Sequence, residues 1–175
     1  MNKSEIRKRI LKIRMQNSFK NLEIDSKEIF KILKKKKIKG KILGGYYSFN
    51  HELSVLRILD DFERYNYTIT LPRIKKNFKM DFLFWSTREP LKINKYGIPE
   101  PLSNKIKFPD ILLVPLVAYD ESNNRIGYGG GFYDRYINKL KRYKKIVTIG
   151  LAYSFQKVKK IPVDENDVKL DFIIT

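Results

Sequence analysis

The 175-residue chain has no cysteine, which excludes disulfides, thiolate nucleophiles and cysteine-ligated zinc. Histidine is almost as scarce. The single His51 has no second imidazole with which to hold a metal, and beside Glu52 it reads as incidental. No apolar run reaches membrane-spanning length, and the opening MNKSEIRKR lacks the apolar core of a secretory signal. A soluble cytoplasmic protein with no membrane partner is therefore expected. Repeats, low-complexity tracts and linkers are also missing, so residues 1–175 are expected to form one domain. Acidic residues are the remaining scarcity: 19 Asp and Glu stand against 37 Lys and Arg, for a net charge of +18. That balance favours polyanions, from nucleic acid to small phosphates. Yet the lysines are scattered through a chain also rich in Ile and Asn, whose codons are likewise A/U-rich, so compositional drift accounts for the excess. No recognised nucleic-acid-binding module accompanies the charge, and no dedicated nucleic-acid site is expected.

What is present is globular: 42% hydrophobic and 13% aromatic residues are enough for a real core. Ile6, Ile10, Leu11 and Ile13 recur at near-helical spacing, so the chain opens with an amphipathic helix. Asp25 and Glu28 resemble a capping box for a second helix carrying Ile29, Phe30 and Leu33, closed by the cations Lys34 to Lys37. Residues 41–49 read as a strand, and Asn50 as the cap of a helix with Leu53, Leu56 and Leu59 inside. Tyr67 to Leu71 alternates as a strand ending at Pro72, and Met80 to Trp85 is another apolar run. Residues 86–108, broken by three prolines, read as a long loop of the kind that serves function or forms a lid. Ile111 to Tyr119 and Ile146 to Tyr153 are continuous apolar runs on either side of a helix, as in a parallel βαβ unit, and Phe172 to Thr175 adds a short strand. The pattern predicts an α/β domain with a largely parallel sheet.

The segment RIGYGGGFYDR, Arg125 to Arg135, carries the chemistry. Four glycines within five positions, Gly127, Gly129, Gly130 and Gly131, open positive φ and let backbone N–H groups converge on an anion. The helix expected from Phe132 to Tyr143 would aim its unpaired donors at the same point. Arg125 and Arg135 bracket the loop with positive charge, and Asp134 supplies a carboxylate suited to a cation such as Mg²⁺. No Lys-Ser or Lys-Thr follows, so this is not a P-loop; no glycine at position 132 completes a dinucleotide fingerprint.

With its surroundings, the loop resembles that of the 5-formyltetrahydrofolate cyclo-ligase (5,10-methenyltetrahydrofolate synthetase) family. The match runs through KSEIRKR at Lys3, YYSFNHEL at Tyr46, LPR at Leu71, KMDF at Lys79, GIPEP at Gly97, DILLVPLVAYD at Asp110, the glycine loop, and IPVDENDVKLD at Ile161. The resemblance implies an α/β sandwich similar to sugar-phosphate isomerases and CoA transferases. It also implies the conversion of 5-formyltetrahydrofolate to 5,10-methenyltetrahydrofolate with ATP and Mg²⁺; a monomer is expected. Lys3 and Arg7 match its N-terminal phosphate-binding pair, four residues apart on one helix face. Arg125 to Tyr133, including Tyr128 and Phe132, match its ATP loop, with Gly129 to Phe132 also beside the pterin. Arg125 and Lys3 are the implied catalytic cations, and Asp134 and Asp171 the implied Mg²⁺ ligands. Tyr47, Glu52, Met80 and Tyr96 match substrate-binding positions. Departures are Phe132 where many members carry Tyr, Gly130 where some carry Lys, and a missing Gly after Pro115. Two other readings are weaker. A sugar-phosphate isomerase or CoA transferase would need an acid–base pair or glutamate nucleophile that no motif supplies, and a charge-driven nucleic-acid binder without catalytic activity leaves the glycine loop unexplained.

Overall fold

A computed structural model of the chain describes residues 1–17 and 24–175. Helix α1 spans Lys3–Gln16 and starts with a capping box, in which Asn2 and Glu5 each satisfy the other's backbone N–H. Helix α2 spans Ser26–Lys35; Asp25 caps it by accepting from the Lys27 N–H, while Glu28 pairs with Lys31 instead of reaching back. Helix α3 spans Leu56–Arg64 and begins later than the sequence suggests. Asn50 does not cap it. Asn50 and His51 both hold positive φ, 48° and 58°, and turn the chain, leaving buried Leu53 outside the helix.

Six strands build the main sheet: β1 (Ile42–Gly44), β2 (Thr68–Ile74), β3 (Met80–Phe84), β6 (Ile111–Val114), β9 (Val147–Leu151) and β10 (Phe172–Ile174). Their order is β10-β9-β6-β1-β2-β3, with every pairing parallel except the antiparallel edge strand β3. Helix α4 (Phe132–Lys141) connects β6 to its parallel neighbour β9, as the two apolar runs predict. Along β6, Ile111 and Leu113 pack under α2 and α3, while Leu112 and Val114 pack under α4. Burial on both faces is why this strand is apolar throughout. A third cluster joins Ile6 and Ile10 of α1 to Val117, Ala118 and Ile126.

Three further sequence readings are corrected. Strand β2 continues through Pro72. The Thr70 carbonyl faces β1 and Ile69 faces β3, so Pro72 points its missing N–H to the side where β1 has ended. The run from Ile111 to Tyr119 is two strands, because Pro115 breaks it. Its second half, β7 (Ala118–Tyr119), pairs outside the main sheet with β8 (Arg125–Ile126). Residues 86–108 contain a hairpin of β4 (Leu91–Ile93) and β5 (Pro99–Pro101). Arg73 of β2 fastens it through the carbonyls of Pro101 and Ser103, and buried Glu100 accepts from the Ile74 N–H.

At the entry edge of the sheet, one carboxylate ties three strands. Asp110 accepts from the Ile42 N–H at 2.9 Å and from the Lys144 ammonium, and its backbone bonds both Ile42 and Val147. Gly40 lies against it: a Cβ there would sit 2.2 Å from the Asp110 Cγ. Gly40→Ala should therefore destabilise the fold by about 1–3 kcal/mol, the range for overpacking a fixed contact. Urea denaturation would measure this as a lower midpoint at unchanged slope.

Candidate functional site at the exit edge of the sheet

From β1 the chain proceeds through α3 to β2 on one side, while β6 pairs on the other. That reversal makes the crevice beyond the carboxyl ends of β1 and β6 the natural ligand position in such a sheet. The segments after both strands meet there. Beyond β6, Asp120 organises the β7–β8 turn by accepting from the N–H groups of Ser122 and Asn124, each at 3.0 Å, and it also holds the Ile161 N–H. The glycine loop leaves β8 and ends at Gly131, whose left-handed φ of 62° opens α4 with no side-chain cap. Gly129 is left-handed too, at φ 101°. Arg7 lies across the loop: its Nε donates to the Gly127 carbonyl at 2.8 Å, and a Cβ on Gly129 would be 3.6 Å from its guanidinium. Arg135 donates to the Gly130 carbonyl and stacks on Phe78 and Phe132.

The charged residues form a chain beside the loop. Lys3 pairs with Asp164 at 2.5 Å and with Asp167. Burial works against the Asp167 carboxylate, but Lys3, the Asp164 N–H and Arg125 outweigh it and hold its pKa below the ordinary range. The buried Arg125 donates to Asp134 Oδ1 at 2.7 Å and to the Val168 carbonyl at 3.0 Å, and the Val168 N–H donates to the same Asp134 oxygen at 3.0 Å. Arg125 Nε and the Tyr133 hydroxyl are buried with no protein partner. Unpaired buried donors in a crevice call for a ligand or water. Asp171 is engaged elsewhere: its Oδ2 accepts from the Thr148 N–H at 2.8 Å and hydroxyl at 2.7 Å. Among the described residues, no group of three or more His, Asp or Glu gathers as a metal cage.

On the other wall stands Glu52. It closes its own turn by accepting from the Phe49 N–H at 2.9 Å, and Tyr128 holds the same turn at the Phe49 carbonyl. Burial pushes its carboxyl up to about 7, against the opposing effects of the Phe49 N–H, Arg14 and Tyr128. Arg14, a residue the sequence reading passes over, is 2% exposed. It donates to the Tyr128 hydroxyl at 2.9 Å and the Leu116 carbonyl at 2.5 Å, and its Nε is left without a partner. The signal was present in the sequence: Arg14 continues the stripe of Ile6 and Ile10 at four-residue steps, a buried face where a charge needs a reason.

The structure thus gathers Arg7, Arg125, Asp134, Glu52, Tyr133 and the glycine loop, with Lys3 joined through Asp167. Met80 is core between β3 and α4, in one apolar cluster with Phe132 and Tyr133. Tyr47 lines a cavity of about 710 Å³ together with Trp85, Thr87, Arg88, Ile93 and Pro99. Tyr96 is exposed on the β4–β5 turn, with the Lys95 ammonium 5.0 Å from its ring centre.

Comparison with known proteins gives a consistent picture. The family model described as the 5-formyltetrahydrofolate cyclo-ligase family matches residues 1–175. A 5-formyltetrahydrofolate cyclo-ligase of Haemophilus influenzae is 36% identical over 132 residues, 71% of this chain and 70% of the relative. One from Escherichia coli is 34% identical over 137 residues, 74% of this chain and 75% of the relative. A solved 5,10-methenyltetrahydrofolate synthetase from Mycoplasma pneumoniae superposes with a TM-score of 0.75 at 28% identity, covering 99% of this chain and 98% of that one. Another from Aquifex aeolicus gives 0.74 at 26% identity, covering 99% and 89%.

Glu52 makes stability depend on pH in a definite direction. Between the ordinary 4.5 and about 7, the folded protein keeps a proton that the unfolded chain has released, so stability falls as pH rises through that window. Glu52→Gln, which cannot ionise, should lose this slope and exceed the wild type at pH 8 by on the order of 1–3 kcal/mol. Denaturation of both proteins across this pH range measures the difference.

Proposed function

Because the chain belongs to the 5-formyltetrahydrofolate cyclo-ligase family, we propose that it uses ATP with Mg²⁺ to convert 5-formyltetrahydrofolate to 5,10-methenyltetrahydrofolate, releasing ADP and phosphate. The observation that carries this reading is the convergence of Arg7 and Arg135 on a glycine loop that opens α4 without a side-chain cap, with Arg125 paired to Asp134 at its base.

The chemistry asks for these groups. An N-formyl group is an amide, a poor electrophile whose oxygen is a poor leaving group. Attack of that oxygen on the γ-phosphorus forms an O–P bond, breaks the bond to the β-phosphate oxygen and releases ADP. N10 then adds to the activated formyl carbon, the C–O bond breaks, phosphate leaves, and loss of the N10 proton completes the five-membered ring. Phosphoryl transfer depends mainly on positioning and charge neutralisation, so cations and backbone donors matter more than an acid–base pair.

Arg7 and the N–H groups of Gly129 to Phe132 would hold the phosphates, and the unpaired Nε of Arg125 offers one more donor. Lys3 reaches the same anion by exchanging Asp164 and Asp167 for it. A magnesium ion bound with ATP neutralises phosphate charge, and it typically needs only one or two protein carboxylates beside phosphate and water. Asp134, at the first turn of α4, fits that use. Asp171, the second carboxylate expected there, is engaged by Thr148 and would have to leave it to join Asp134 on the ion. Glu52 would accept N–H bonds from the pterin, and a buried carboxyl that readily changes charge suits this. Phe132 and Met80 would line the pterin side, and Tyr47 and Tyr96 the outer part of the folate.

Mixed with 5-formyltetrahydrofolate and ATP, the protein should produce the near-ultraviolet band of the methenyl product only when Mg²⁺ is present. Arg7→Ala should raise the KM for ATP at least about tenfold, the loss expected for one charge-assisted phosphate contact, and leave the KM for the folate within about twofold. No band from folded protein would overturn the reading.

A further inference from the structure

Tyr128 belongs to the glycine loop by sequence, but its side chain belongs to the opposite wall. The residue is 40% exposed, while its hydroxyl bonds Arg14 and the Phe49 carbonyl. It accepts from Arg14 Nη1 at 2.9 Å and donates to the Phe49 carbonyl at 3.3 Å, on the turn that carries Glu52. Arg14 fills one lone pair of the hydroxyl oxygen, so the single phenolic proton is left for the Phe49–Glu52 turn. The Phe49 and Tyr128 rings also meet edge to face at 6.3 Å.

That turn is not a comfortable piece of chain. Asn50 and His51 both hold left-handed φ, and the Phe49 carbonyl accepts from the Glu52 N–H at 3.0 Å. Two consecutive non-glycine residues in this region persist only where the surroundings over-determine them. Tyr128 holds the first residue of the turn through the Phe49 carbonyl and ring, and Phe49 in turn holds Glu52 through both backbone N–H bonds of the turn. The loop for the nucleotide and the turn that presents Glu52 are therefore held in register by one hydroxyl.

We propose that Tyr128 couples the two substrate pockets, so that a nucleotide on the glycine loop tightens folate binding at Glu52, and the folate tightens nucleotide binding. The inference rests on the assignment of ATP and folate to this crevice. Ordering the loop also orders the Glu52 turn, so the ordering cost shared through Tyr128 is paid once rather than twice. Linkage requires the same factor in both directions. The device is local to this chain's Gly127-Tyr128-Gly129 sequence, since a side chain without a hydroxyl cannot donate to the turn.

The test is calorimetric titration of 5-formyltetrahydrofolate into the full chain, with and without a saturating β,γ-imido analogue of ATP plus Mg²⁺, for wild type and Tyr128→Phe. The phenylalanine keeps the ring packing, and the partly exposed site makes the variant a mild one. In the wild type the analogue should tighten folate binding about threefold to tenfold, the scale of one hydrogen bond. The reverse titration should give the same factor, and in Tyr128→Phe both should fall to within about twofold of unity. Folate that binds the wild type equally with and without the analogue overturns the coupling. So does an undiminished factor in Tyr128→Phe. Failure of the wild type to bind the folate at all overturns the site assignment itself.

Discussion

The buried guanidinium of Arg14 holds the exit edge of the sheet together. It reaches from α1 to the Leu116 carbonyl, where the chain has just left β6, and to Tyr128 in the glycine loop. Arg14 bonds two groups at that depth, and removing it would strand them. The Leu116 carbonyl is also bonded by Gln156 at 2.9 Å, so α1, the exit of β6 and the segment after β9 meet on one oxygen. From that point Arg7 can lie across Gly127 and Gly129. The positions of Lys3 and Arg7 beside the loop follow from where this helix is pinned.

The two edges of the sheet use opposite means. At the entry edge, Asp110 closes strand ends with backbone and ammonium bonds and leaves nothing open. At the exit edge, donors remain unpaired on Arg14, Arg125 and Tyr133, and the Glu52 carboxyl is poised near neutrality. Unfilled polar groups are costly in a folded core, so their concentration on one side marks where stability has been yielded to binding. Lys3 belongs to the same balance, because its two carboxylate partners keep an ammonium charged beside the loop until an anion competes for it.

How far the sequence could be read depended on whether a feature is local. Apolar runs gave the parallel pair around α4, and the glycines gave a loop opening onto that helix, because periodicity and φ preference act within a few residues. Asn50 misled for the same reason: its liking for helix caps is shared with its tolerance of left-handed turns, and the turn won. Pro72 misled because its effect depends on which neighbour is missing, a tertiary fact. The hairpin inside residues 86–108 escaped notice because β4 and β5 are short and its anchors, Arg73 and Glu100, lie outside or late in the segment. Arg14 was legible in its spacing but not in its purpose, and Tyr128 looked like part of a phosphate loop although its hydroxyl serves the other wall.

The pairing of Lys3 with Asp164 and Asp167 spans 161 and 164 positions, and this has a consequence in time. Helix α1 is synthesised well before the residues that receive its charged and apolar faces. Until those are made, Ile6 and Ile10 have no partner among Val158 and Ile161. The nascent chain can assemble β1, β2 and β3 early, but contacts of such long separation close late and slowly. The crevice is therefore completed only when α1 meets the segment around Asp164 and Asp167 beside it.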